Sequence, residues 1–497
     1  MHPKYDIAII GSGLGGLTCG YILSKNGYKV AIFEQGAQFG GCLQTFKRRG
    51  VKFETGVHYI GSMGEGQALN LFFHYLSLFP DVEVMPLEPS GFDVVSFKGE
   101  KYRFAVGYDN FVETLAQKFP AERENLKRYA KMLQTVAHSS PFHSIDGDSG
   151  TLHFDSSYVT TSVNDFIASH TSDETLQNLL VGMIPLYNGE KNKTPLYVHA
   201  FINDSNINGA YRIIGGSDQI ADSLVRSIRS FGGELFASAR VKKINCDDSK
   251  AVSVVLDDGA QIAADYIISN IHPETTIDMI DSHMLRPVYR NRIQQMEQTA
   301  ANFTVYIIFK KDTVPYMNYN YYHYNSDQIW DGEKYTVHDW PRGYLYMHLC
   351  PSPPSPYAQA GEILTVMRYD EVEQWAGTKA ERRGEAYREF KRCKAEKVLS
   401  QLERDFPGTL ANVEAYYTSS PLTYLDYTGT KNGSMYGVLR DVNIPRILHR
   451  TKIPNFYFTG QNISAHGIMG VVIGAFITCS EFFGRDFLWK QIISSRP

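Results

Sequence analysis

The apolar run Ile7–Ile10 stops at Gly11, and a second run, Val30–Phe33, stops at Glu34. Short unbroken apolar runs bounded by turn residues predict strands buried on both faces, as in a parallel sheet, with the intervening stretch as their crossover helix. Further on the pattern changes to short alternating segments, and Gly91–Phe97 predicts a strand of a different sheet. Between about 111 and 210 the spacing is mainly helical, with Ser172-Asp173 as a cap before an apolar run. From Tyr211 strands return: Tyr211–Ile214, a helix over Gln219–Phe231, a strand around Val241–Ile244, a hairpin through Asp257-Asp258-Gly259, and the strand Tyr266–Asn270. The stretch 296–439 is mixed and rich in Tyr and Pro; Met317–Tyr324 reads either as a half-buried strand or as a pocket wall. Asn455–Gly460 predicts a strand feeding a glycine-marked loop, and Gly470–Phe483 a closing helix. The expected fold is α/β. A discontinuous Rossmann-type nucleotide domain takes residues 1–75, 211–295 and 440–497, and a mixed α+β substrate lobe takes 76–210 and 296–439.

The turn after the first strand carries the most chemistry. In Gly11-Ser12-Gly13-Leu14-Gly15-Gly16, Gly11 suits a tight turn, Gly13 a close backbone approach to a pyrophosphate, and Gly16 close helix–strand packing. The helix behind it offers free N–H groups and a positive dipole end. Glu34, with Gln35 beside it, lies roughly 20 residues on, where a carboxylate accepts hydrogen bonds from a ribose. A glycine turn with no ligand is the alternative, but strand, helix and acid agree on a dinucleotide. Three further features point to a flavin nucleotide. Gly40, Gly41 and Cys42 give another close backbone approach; Val241 places a backbone amide for an adenine edge; and Gly460-Gln461 with Ile468-Met469-Gly470-Val471 brings a second loop and helix N-terminus toward a flavin ring.

Composition narrows the setting. A formal charge of −4 gives no basis for a nucleic-acid partner. The six cysteines (19, 42, 246, 350, 393 and 479) contain no C-x-x-C pair, which argues against a disulfide scaffold, a metal site or a dithiol redox centre and fits a reduced, cytoplasmic setting. The pattern starts by Asp6, so no cleaved signal peptide is expected, and no run of about 18 apolar residues exists to span a membrane. The stretch Ala68–Pro80 is amphipathic and reads as a buried helix face, with peripheral membrane contact as the alternative. An aromatic share of 13% suits a pocket for an apolar ligand, though a large core accounts for it equally.

On these residues the chain resembles the phytoene desaturase superfamily of FAD-dependent, amine-oxidase-like oxidoreductases, which includes carotenoid desaturases, carotenoid cis–trans isomerases and retinol saturases. Gly40–Phe46 and Phe53–Gly61 are most similar to the retinol saturase branch, the all-trans-retinol 13,14-reductases. Bacterial and plant-type phytoene desaturases usually carry Arg after the double glycine; here it is Cys42, which moves the phosphate-pairing charge elsewhere, to Lys47 or Arg48. The resemblance implies FAD beside an extended apolar pocket, a retinoid or carotenoid-like polyene as substrate, and hydride and proton transfer across a C=C bond. Only one glycine fingerprint is present, so NAD(P)H would visit the flavin pocket or another protein would supply electrons. His58, Tyr59 and His466 are the acid–base candidates; each also reads as a structural residue, Tyr59 as a pocket wall. A covalent flavin link through Cys42 or His58 is conceivable. The alternatives are a desaturase or non-redox isomerase of the same superfamily, and a flavin-free prenyl-binding protein of the same fold.

Overall fold

The computed structural model describes residues 4–140, 142, 155–380, 382–463 and 465–496. Part of the stretch read as helical between 111 and 210 lies outside the described residues.

The first two apolar runs are the strands Tyr5–Ile10 and Val30–Phe33, paired in parallel. Glu234–Phe236 adds outside Val30–Phe33, and Gln261–Ser269 pairs with the other edge of Tyr5–Ile10, both in parallel. The long strand Gln261–Ser269 divides its partners. Its C-terminal half pairs in parallel with Phe456–Phe458, and its N-terminal half carries the antiparallel strands Ala251–Leu256 and Val241–Cys246. Three separate stretches of chain therefore build one seven-stranded sheet. Alternate side chains explain why its strands are apolar throughout: Ile7, Ile9, Val30 and Ile32 pack beneath the helices Leu14–Lys25, Asp218–Ser230 and Gly467–Phe483, while Ala8, Ile10, Ala31 and Phe33 face a second core.

A second seven-stranded sheet runs Val413–Ser419, Ala301–Phe309, Ala360–Met367, Gly343–His348, Asn320–Tyr324, Asp93–Phe97, Glu100–Phe104. The Tyr-rich stretch thus contains a strand, Asn320–Tyr324, with Tyr321 and Tyr322 buried. One face carries the helices Tyr108–Ala116, Arg123–His138 and Leu196–Ile207; the other carries the helix Gly384–Asp405. The helix Ala68–Tyr75 buries Leu69, Leu71, Phe72 and Phe73 in the core of the first sheet.

The joint between the sheets is polar and buried. Arg212 is 1% exposed; its Nη1 donates to the His58 carbonyl at 3.0 Å and its Nη2 to Asn320 Oδ1 at 2.7 Å. Asn320 Nδ2 donates to Asp93 Oδ1 at 2.7 Å, and Tyr59 Oη donates to Asp93 Oδ2 at 2.9 Å. Burial pushes the Asp93 carboxyl up to about 7 against these hydrogen bonds. Nearby, Glu54 accepts from the backbone N–H of Ser217 at 2.9 Å and from its hydroxyl, while the Glu54 N–H donates to Glu362 Oε1 at 3.0 Å. Burial, with the neighbouring Glu362 charge adding to it, pushes the Glu54 carboxyl up to about 8 despite the Ser217 bonds.

The glycine turn has its own steric demand. Gly11 has φ +90°, and its N–H reaches the Phe33 carbonyl at 2.8 Å. A Cβ on Gly16 would lie 2.1 Å from the Gly11 carbonyl oxygen, so the helix can start this close to the strand only without a side chain there. Gly16→Ala is expected to cost on the order of 2 kcal/mol in the apoprotein, read as a lower denaturant midpoint. Because Glu54 holds its proton more tightly folded than unfolded, its contribution is present below its ordinary carboxylate range and is lost as pH rises toward about 8. The stability gap between the native chain and Glu54→Gln should therefore shrink by about 1.4 kcal/mol per pH unit between pH 5 and 8, measured by thermal melts at matched ionic strength.

Candidate active site

Two helices meet a single cavity of about 800 Å³ with their N-termini. Gly13, Leu14 and Gly15 bring the start of Leu14–Lys25 to it, and Gly467–Gly470 the start of Gly467–Phe483. Neither helix has a side-chain cap or an acidic residue in its first turn. Both ends therefore present unsatisfied N–H groups and positive dipole ends, which suit a diphosphate and an electron-rich ring edge. Both strand ends that feed these loops, Ile10 and Phe458, belong to the same parallel sheet and flank Gln261–Ser269, which is why the two helices converge.

Most residues read as nucleotide-binding line this cavity: Gly11, Gly13, Leu14, Gly15, Glu34, Gln35, Gly40, Gly41, Cys42, Val241, Gln461, Ile468, Met469, Gly470 and Val471. Ser12, Gly16 and Gly460 do not line it, and act from behind. Ser12 donates to Glu34 Oε2 through its N–H at 3.0 Å and its hydroxyl at 2.6 Å, and the Gly36 N–H donates to Oε1 at 2.8 Å. The Glu34 carboxylate is thereby fixed at the cavity, as ribose recognition requires. Uncapped helix ends and a fixed carboxylate together fit FAD.

Other expectations change. Arg48 is exposed and covers the Phe46 ring at 5.2 Å, and neither Lys47 nor Arg48 lines the cavity. The cations that do are Arg240, next to the predicted Val241, and Arg446. His466 lines the cavity, its ring tilted by 34° against Tyr436 with centroids 4.5 Å apart, and burial and then the Arg440 charge push its imidazole down to about 3, which favours the neutral ring. Burial pushes the Cys42 thiol up, the wrong direction for a nucleophile that would capture flavin. Tyr59 also lines the cavity, and its hydroxyl sits 2.6 Å from Tyr322 Oη as well as on Asp93. Burial and the Asp93 charge hold that phenol far above its ordinary value.

Beyond the glycine turns the wall is apolar. The helix Leu196–Ile207 presents Tyr197, Val198, Phe201, Ile202, Ser205 and Asn206, the spacing of one helix face. Its other face, with Leu196, Ala200 and Ile207, joins the core of the substrate lobe. A second cavity of about 450 Å³, with Ile184, Ile329, Trp330, Leu345 and Leu364 on its apolar side and Glu190, Lys193, Glu333 and Arg342 on its charged side, shares His58, Leu186 and Tyr436 with the first. His58 Nδ1 lies 3.0 Å from Glu362 Oε2, which is fully buried; the contact is out of line for a good hydrogen bond. Sequence reading found His58 but not Glu362, Tyr436 or this helix face. Among the described residues no cluster of His, Cys, Asp and Glu is suited to a metal, and no helix is long and apolar enough to cross a membrane.

Comparison with known proteins agrees with this geometry. The chain is 27% identical to human all-trans-retinol 13,14-reductase, covering 97% of this chain and 86% of that one. It is 24% identical to the chloroplastic prolycopene isomerase of Daucus carota, covering 98% and 81%. In fold it is similar to an oxidoreductase from Methanosarcina mazei (TM-score 0.67, 17% identity, 95% and 99% covered). It is likewise similar to putrescine oxidase bound to putrescine (TM-score 0.64, 14% identity, 97% and 99% covered). A family match spans residues 14–479, from the first cavity-facing helix into the last, and on that match the chain belongs to the flavin-containing amine oxidoreductases.

Proposed function

We propose that this chain is an FAD-dependent oxidoreductase that reduces a C=C bond of an apolar polyene, a retinoid or a carotenoid-like molecule, as a retinol-saturase-like reductase. The observation that carries this reading is the continuity of one cavity from the glycine turns to the apolar face of Leu196–Ile207, with a second, mixed cavity joined to it at His58, Leu186 and Tyr436. The retinol reductase relatives support the same direction. Bound FAD, once reduced, supplies a hydride. The chain's own part is to hold and exclude: Gly13–Gly15 and Gly467–Gly470 give N–H donors, Glu34 holds a ribose, and the apolar walls keep water from the reacting bond. The apolar part of this pocket suits a rigid conjugated chain.

NAD(P)H is the proposed donor, reaching the flavin from the cavity side rather than through a domain of its own. The second reading is isomerisation, favoured by the prolycopene isomerase relatives; it would use the same pocket and consume no stoichiometric donor. A flavin-free prenyl-binding role fits poorly with two uncapped helix ends and a fixed Glu34 in one cavity. We place the enzyme in the cytoplasm or peripherally on a membrane surface, where an apolar substrate is dissolved.

The purified protein should show a flavin band that anaerobic NADPH or NADH bleaches, and the reduced protein should convert all-trans-retinol to a product heavier by two hydrogens. An unchanged mass with altered double-bond geometry would replace reduction with isomerisation. A colourless protein that binds retinol would overturn both.

A further inference from the structure

We propose that His58 is the proton donor of this reduction and that Glu362 positions it; the inference rests on the reductase reading. His58 occupies the boundary between the two cavities, the place where a polyene running from one into the other must pass. Its side chain is 12% exposed, and neither ring nitrogen has a hydrogen-bond partner in the protein. A buried ring nitrogen left unpaired is costly, a cost relieved when a ligand meets it. On the other side of the ring, Nδ1 lies 3.0 Å from Glu362 Oε2, and Glu362 is 0% exposed. Its other oxygen, Oε1, is taken by the Glu54 N–H at 3.0 Å, which fixes the carboxylate in place. The contact is out of line for a good hydrogen bond, but a carboxylate oxygen this close accepts only and favours the hydrogen on the nitrogen that faces it. Nε2 is then the atom left for substrate.

Glu190, Lys191, Lys193, Glu333 and Lys334 line the second cavity but not the boundary it shares with the first, and the other titratable group at that boundary, Tyr436, donates its hydroxyl to the Pro185 carbonyl at 3.1 Å. Tyr59 is held between Tyr322 and Asp93, Glu54 is absent from the cavity lining, and burial favours the neutral ring of His466. His272 bonds Gln298 at 2.9 Å and His449 bonds Glu481 at 2.8 Å, both away from the second cavity. The π bond opens; one carbon receives the hydride pair that the reduced cofactor brings, and its neighbour forms a C–H bond with the proton leaving Nε2. The N–H electrons stay on nitrogen, so His58 ends neutral with its hydrogen on Nδ1 and takes a new proton from solvent.

Two measurements test this. In the apoprotein, ¹⁵N NMR of histidine, with the His58 signal assigned through His58→Asn, should show the neutral ring as the Nδ1–H tautomer, and Glu362→Gln should shift it toward Nε2–H. A native ring found as Nε2–H overturns the role of Glu362 whatever the enzyme reduces. In the holoenzyme, prereduced protein and all-trans-retinol in D₂O should give two solvent deuteriums, one through the exchangeable N–H of the reduced flavin and one from the proton donor, with the donor's deuterium on a single face of its carbon. His58→Asn should slow that single turnover by about 10²–10⁴-fold, with flavin absorbance and retinol affinity retained. Glu362→Gln should lower kcat about tenfold without raising KM. A His58→Asn rate within threefold of native overturns proton donation. A native protein that leaves retinol unreduced overturns the reductase reading and with it the donation, while the tautomer still decides what Glu362 does.

Discussion

The structure depends on one electrostatic constraint: a doubly charged diphosphate must be met by backbone dipoles, and those dipoles must stay free of competing carboxylates. Helix N-termini meet it at no cost in buried charge, because their first N–H groups lack intrahelical partners. Here two of them, at Leu14 and Gly467, come from opposite ends of the chain. They converge because Tyr5–Ile10 and Phe456–Phe458 lie in parallel on either side of Gln261–Ser269. The parallel sheet is the device that turns distant sequence into one anion site, and its burial on both faces is what makes its strands apolar.

The same constraint explains what could be read without coordinates. The turn at Gly11–Gly16 and the acid at Glu34 are local: strand, turn and helix occupy consecutive residues, so spacing alone carries the chemistry. Val241 and the Gly460–Val471 loop were legible for the same reason, each being a strand end or helix start marked by glycine. The wall was not legible. Leu196–Ile207 lines the cavity with one face and a core with the other, and its polar residues His199, Asn203 and Asp204 are buried as well, so polarity does not mark which face is which. Glu362 reads in the chain as an acid in an apolar strand, Ala360–Met367, and only tertiary packing brings it to His58. The charge displaced by Cys42 was sought at Lys47 and Arg48, yet the strand Thr45–Arg48 leaves them exposed, and Arg240 and Arg446 reach the cavity from elsewhere.

The joint between the lobes sets a further condition. Arg212 is buried beside Asp93, and breaking such an arrangement by removing one partner leaves an uncompensated polar group. Its hydrogen bonds run to the His58 carbonyl on one side and through Asn320 to Asp93 and Tyr59 on the other. The backbone that carries His58 and Tyr59 past the cavity is thus clamped to the second sheet. Positioning by packed elements and paired hydrogen bonds is tighter than positioning by a free loop.

That clamp bears on which chemistry the pocket is built for. Holding a polyene needs shape and apolar surface, and Leu196–Ile207, Leu186 and Trp330 supply both. It does not need Glu362, whose burial costs free energy that apolar packing would avoid. A carboxylate kept at 0% exposure behind an imidazole at the cavity boundary is intelligible if that imidazole must keep one tautomer and one orientation. Isomerisation leaves the hydrogen count of its substrate unchanged, whereas adding hydride to one carbon leaves the neighbour in need of a proton from a fixed side. The placement of His58 and Glu362 would answer that need, and it is the physical argument behind the proposal of reduction over isomerisation.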